Sequence, residues 1–231
     1  MRDRATQEHA RPTPQVRVSS MRKSGKDEPT ALFAKVPGKE YGRLIFRYPY
    51  HNDSMLAMSY HEAATRLAGT FEGQPIDDTM LLPFLTLYRQ AIELRLKETI
   101  RDLAALRRRF HDPSNPKLQP AAVEKRLRSP RILGHNLEAL LNELLDHYNA
   151  LELDEQFPES ARDLVMLLHE ADTSGTAFRY SGQMPDIQEH LDFPDLVALL
   201  DGEFRLLGGI EDWITEMHAA GPQPEDDGDW Y

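Results

Sequence analysis

The chain contains no cysteine among its 231 residues. Disulfide staples, thiolate metal sites, iron–sulfur clusters and cysteine nucleophiles are therefore excluded, and a reducing cytoplasm is the expected compartment. Long apolar runs are missing as well. The longest, such as Leu164–Leu168, has five residues, against the roughly 20 that a membrane-spanning helix needs. No apolar stretch follows the basic N-terminal residues, so no secretory signal is expected. A phosphate-cradling glycine loop, Gly-x-Ser-x-Gly, His-Glu-x-x-His and an Asp-rich calcium loop are all absent, and the chemistries they serve lose their usual sequence support. No metal site and no organic cofactor are expected. Strand-like alternation is confined to Arg43–Tyr48.

Charge is abundant and unevenly spread. The formal net charge is −11, yet residues 1–30 carry +3 and residues 95–131 carry +7, while residues 132–231 carry −20. Fields act over about 8 Å at physiological salt, so the basic band can grip a phosphate backbone despite the acidic total. Arg95, Lys97, Arg101, Arg107, Arg108 and Arg109 are the candidate nucleic-acid contacts. The competing reading is that this band docks on the acidic C-terminal third, within one chain or across a dimer. Arg107–Arg109 carries a further alternative: as the end of a helix, the run complements the negative end of its dipole.

Residues 1–30 are rich in Ser, Thr, Pro and Arg with little apolar content, so a disordered basic tail is expected there. An acidic tail is expected over 219–231. Between them lies one helical domain, 31–218, in which apolar residues recur at three- and four-residue steps. The spacing predicts helices from Ser54 to Thr70 and from the Asp78–Pro83 region to about Phe110. Others are predicted from Asn136 to about Ala150, from Ser160 to Ala171, and from about Pro194 to His218. Ser160 with Asp163 reads as a capping box, and Gly208-Gly209 as a kink or a close crossing. On the second helix Arg89, Glu93, Lys97 and Arg101 follow one another at four-residue steps, a stripe of supporting ion pairs. The fold expected is all-α, an up-and-down bundle of about five helices with disordered termini.

Three segments carry a resemblance. Tyr88-Arg89-Gln90-Ala91-Ile92-Glu93-Leu94-Arg95-Leu96-Lys97 is similar to a Gln-Ala-x-Glu-x-x-Leu-Lys helix. Gly134-His135-Asn136-Leu137 followed by Leu140-Leu141 is similar to a His-Asp-Leu helix opening. Phe178-Arg179-Tyr180 stands where an Arg-Tyr-Pro precedes a final helix, with Ser181 in place of the proline. In this order they resemble the HEPN family, helical bundles of prokaryotic toxin–antitoxin and phage-defence systems. The resemblance implies a cytoplasmic helical protein acting through protein or RNA partners, including an antitoxin, in bacterial stress or phage defence. Its alternative is a metal-independent RNA endonuclease working as a homodimer, so the sequence leaves open whether the chain is an enzyme.

Such nucleases use Arg-x4-6-His, the arginine offsetting phosphate charge and the histidine exchanging protons. Arg162 and His169 are the candidate catalytic pair, the competing reading being a structural or ordinary solvated helix face. Seven residues turn a helix through about 700°, so both share one face, expected to point outward with Leu164, Leu167, Leu168 and Ala171 toward the core. His135 has two readings, a functional imidazole or, as the residue just before a helix, a side chain bonding backbone groups there, the second being expected. Trp213 and Tyr180 are read as packing residues rather than base-stacking platforms.

Overall fold

The apolar line from Leu81 to Leu106 becomes the spine of the molecule. The computed structural model describes residues 52–180 and 190–219, and within them this line forms a 30-residue helix, α2 (Leu81–Phe110), about 45 Å long. Phe84, Tyr88, Ile92, Leu96, Ile100 and Leu103 are buried along it. It ends where His111 donates its backbone N–H to the Arg107 carbonyl, just ahead of Pro113.

The other helices wrap this spine. α1 (Asp53–Ala68) starts at Asn52, whose side chain accepts the Met55 N–H at 2.8 Å, and lies along α2. α3 (Pro120–Arg128) follows a loop, with proline at its first position, where a missing N–H costs nothing. α4 (Leu137–Asn149) opens on Asn136, which accepts the Ala139 N–H at 3.0 Å. α5 (Glu159–Ala171) packs on α4 and on α6 (Phe193–Ala219), and α4 and α6 each contact α2. The result is the expected all-α bundle, with six α-helices and no strand among the described residues.

Two expectations fail locally. α3 has only Val123 and Leu127 buried, too few apolar positions over nine residues to register as a period. The Ser160–Asp163 capping box does not form: α5 begins after Pro158 without a side-chain cap, and Ser160 Oγ donates to Glu203 of α6 at 3.1 Å. Gly208-Gly209 lies within the continuous α6. A Cβ at Gly208 would meet the Arg95 guanidinium at 3.7 Å, ordinary contact, and one at Gly209 would meet nothing within 4 Å, so no tight crossing demands the pair. The expected tails at 1–30 and beyond Ala219, the strand signal at Arg43–Tyr48 and the Ser181 position lie outside the described residues.

The seam between α2 and α6 is charged as well as apolar. Arg95, 8% exposed, pairs with Glu211 at 2.9 Å and lies 5.3 Å over the Phe204 ring. Burial, with Glu211 and Glu98 nearby, pushes the Asp102 carboxyl up from 3.8 to about 6, against the opposing pull of Arg101. A carboxyl with a raised folded-state pKa favours the fold while protonated and loses that advantage as pH climbs from about 4 to about 6. Asp102→Asn is therefore expected to stabilise the protein by about 1–3 kcal/mol at pH 7, and not at pH 4. Urea midpoints at the two pH values check this; an equal gain at both refutes it.

Candidate functional site

α2 places two charged side chains inside the protein one turn apart. The side chains of Arg89 and Glu93 are 3% and 1% exposed, a costly arrangement unless each charge is met. Arg89 meets four partners. Nη1 donates to Glu93 Oε2 at 3.2 Å, Nη2 donates to the His135 carbonyl at 2.7 Å and the Asp172 carbonyl at 3.4 Å, and Nε stands 3.2 Å from Asp172 Oδ2. Asp172 is equally buried, and its other oxygen accepts the backbone N–H groups of Thr176 at 2.8 Å and Ala177 at 2.9 Å. One guanidinium thus ties α2 to the start of α4 and to the turn after α5.

The approach of that turn depends on glycine. Gly175 has φ +74, a conformation that side-chain-bearing residues rarely adopt, and a Cβ there would lie 3.1 Å from Arg89 Nη2 and 3.2 Å from His135 Cβ. Gly134, at φ +48, leaves no room either: a Cβ would come 2.7 Å from Pro130 Cα. The three segments 88–97, 134–137 and 172–180, separate in sequence, therefore converge on one spot.

His135 stands at the outer edge of this cluster. Glu93 Oε1 lies 2.8 Å from His135 Nδ1 and accepts from Lys97 Nζ at 2.7 Å. The carboxylate is almost wholly buried while the imidazole is 64% exposed. The Glu93 contact at Nδ1 fixes the ring and leaves Nε2 as the nitrogen turned away from the buried carboxylate. The ring lines a groove of about 370 Å³ together with Gln90, Lys97, Arg101, Arg128 and Asp53. Arg101 bonds Glu124 and, with Arg128, holds that carboxyl below the usual range, the Arg101 hydrogen bond being the largest cause. A fixed imidazole with a buried carboxylate behind it, beside cations that are themselves paired with Asp53, Glu93, Glu98 and Glu124, forms an acid–base arrangement.

The residues singled out from the sequence fall in different places. Lys97 and Arg101 line the groove. Arg95 does not reach it: its guanidinium is turned into the α2–α6 seam, because Glu211, Ser54 and Phe204 surround it. Arg107 pairs with Asp112 at 2.8 Å, Arg108 donates to the Leu118 carbonyl at 2.8 Å, and Arg109 lies 4.9 Å over Phe110. All three sit in the last turn of α2, where the dipole reading places them. Much of the basic band is satisfied within the chain. Arg95 and Arg126 pair with Glu211 and Glu143 of the acidic third, and Arg101 and Arg107 with carboxylates nearer at hand.

α5 is rotated from its expected setting. Ala161, Leu164, Val165 and Leu168 face inward, whereas Leu167 is 52% exposed, which moves the apolar face toward His169. His169 is 9% exposed with Nε2 3.4 Å from Glu138 Oε2, and Arg162 is exposed in a crevice with Glu152 and Glu155. The two do not share an outward face. His135 was expected to bond backbone groups by its helix; Asn136 does this instead, and the His135 ring takes Glu93. Tyr180, read as a packing residue, is 63% exposed, while Trp213 packs half-buried against the core.

Arg89, Glu93 and Asp172, and the groove residues Asp53, Gln90 and Arg128, are members of the site that sequence reasoning did not nominate. The four-residue step of Arg89, Glu93 and Lys97 was visible, but on an isolated helix such a stripe reads as solvated. No family model matches the chain, and neither a curated protein nor a solved structure matches it.

Proposed function

We propose that this chain is a HEPN-like RNA-binding protein whose His135 groove cuts the phosphate backbone without a metal. The observation that carries the reading is the imidazole open to solvent on one nitrogen and held at 2.8 Å by a buried glutamate on the other. Apart from that imidazole, the described residues lining the groove offer carboxylates, an amide and cations but no hydroxyl or thiol, and a hydroxyl of the ligand is the attacking group we propose. RNA supplies one. His135 Nε2 takes the proton of a 2′-hydroxyl, the 2′-oxygen forms a bond to phosphorus, and the bond from phosphorus to the 5′-oxygen breaks. The leaving oxygen regains a proton from the imidazolium, giving a 2′,3′-cyclic phosphate and a 5′-hydroxyl. Lys97 and Arg128 offset charge on the phosphate oxygens.

The test is labelled single-stranded RNA incubated with the protein in EDTA. Cleavage by the unaltered chain that is lost in His135→Ala and kept in His169→Ala supports the reading. The reverse pattern moves the chemistry to the Arg162–His169 pair. The second reading is an interaction protein that holds RNA without cutting it, favoured by the presence of only one imidazole among the described residues that line the groove. Salt-sensitive binding without cleavage selects it. The HEPN resemblance associates either role with a homodimer, with an antitoxin or other protein partner, and with stress or phage defence.

A further inference from the structure

The turn after α5 presents an Arg-Tyr pair whose side chains make no hydrogen bond or ion pair among the described residues. Asp172 Oδ1 accepts two successive backbone N–H groups, of Thr176 and Ala177, and the 3-10 turn Ala177–Arg179 buries Phe178 to 7% exposed. That anchoring fixes the direction of the two residues that follow. Arg179 is exposed and makes no ion pair among the described residues. Tyr180 is 63% exposed, unusual for an aromatic ring whose body is apolar. Arg179 lines a narrow crevice with Thr86, Gln90 and Gly175. Gln90 also lines the His135 groove, and Gly175 stands against His135, so the turn that carries Arg179 lies beside the groove.

We propose that Arg179 and Tyr180 form a nucleobase subsite of the His135 groove, with Tyr180 as the stacking platform and Arg179 holding the adjoining phosphate. The inference rests on the RNA reading above and names the form of RNA: an unpaired strand whose bases are free to leave their neighbours. Any base presents a flat face to a ring, so this subsite tolerates sequence. The guanidinium, without an ion pair among the described residues, matches the backbone charge, and Arg179 shares its crevice with Gln90 and Gly175, two residues that adjoin the His135 groove. A duplex keeps its bases in the stack and cannot fill the subsite.

The experiment is fluorescence anisotropy with three labelled probes: a 12-nucleotide single-stranded RNA, the same length of abasic ribose-phosphate chain, and an RNA duplex. His135→Ala serves as the background, so that no probe is cut. In that background, Tyr180→Ala is expected to weaken single-stranded RNA binding about 5- to 100-fold, the loss of one stacked base. Abasic binding is expected to stay unchanged, and Tyr180→Trp to restore affinity for the RNA. Arg179→Ala is expected to weaken RNA and abasic chain alike. An equal loss on RNA and abasic chain for Tyr180→Ala, or no loss on either, overturns the subsite while leaving the groove intact. Failure of the single-stranded RNA and the abasic chain alike to bind the parent protein removes the RNA reading and the subsite with it.

Discussion

Arg89→Ala is expected to cost the fold about 3–5 kcal/mol, the range for breaking a buried ion pair by removing one partner. The reason is what stays behind. Glu93 and Asp172 are each 1% exposed, and without the guanidinium two carboxylates lie in the interior faced, among the described residues, by Lys97, His135, the Ser174 hydroxyl and a few N–H groups. The His135 carbonyl also loses the Arg89 donor, while the Asp172 carbonyl keeps the Gly175 N–H at 3.3 Å. Urea unfolding followed by far-UV circular dichroism measures the loss. A triple change, Arg89→Met with Glu93→Leu and Asp172→Asn, is expected to recover most of it. The charges then leave together, and the new side-chain amide at position 172 keeps an oxygen for the Thr176 and Ala177 N–H groups. A cost below about 1 kcal/mol for Arg89→Ala, the scale of an exposed pair, would show that water reaches the cluster.

Phe204→Ala is expected to destabilise by about 3–5 kcal/mol, the usual cost of deleting a buried phenyl ring. Phe204 is 2% exposed, stacked on the His61 ring at 4.4 Å and an 11° tilt, with the Arg95 guanidinium 5.3 Å from its centre. The ring seats two polar pairs, His61 with Asp201 at 2.7 Å and Arg95 with Glu211 at 2.9 Å. Both join α6 to the rest of the bundle. Phe204→Leu keeps much of the volume and is expected to cost less than half as much. Thermal or urea unfolding of the two variants side by side checks the order, and equal costs would assign the effect to the flat ring face rather than to filled space.

How far the fold was legible follows from where the apolar residues sit. α2, α4 and α6 each repeat leucine, isoleucine or an aromatic at three- and four-residue steps over several turns, and their sequence positions matched the structure closely. α3 escaped because two buried residues cannot establish a period. The facing of α5 was misread because Leu164, Val165, Met166, Leu167 and Leu168 form an unbroken apolar run, which gives a helix no preferred side. Only the neighbours, α4 and α6, decide that Val165 goes in and Leu167 stays out. The site was legible as three fragments but not as one place. Nothing local to Glu93 says that an arginine one turn earlier will be sealed by a loop more than eighty residues away. The glycine at position 175 that permits this sealing is, in sequence, one turn residue among many.

The position of α2 has a bearing on how the molecule comes apart. It touches α1, α3, α4 and α6 as well as the three 3-10 turns, so no group of the remaining helices keeps its buried surface once α2 is gone. Amide protons in the middle of this helix, from about Ile92 to Leu103, should exchange with deuterated solvent only when the whole bundle opens, whereas α3, held by two buried side chains, exchanges through local fraying. Fragments that split the chain inside α2 should accordingly recover structure only when mixed, as complementing halves rather than as free-standing pieces.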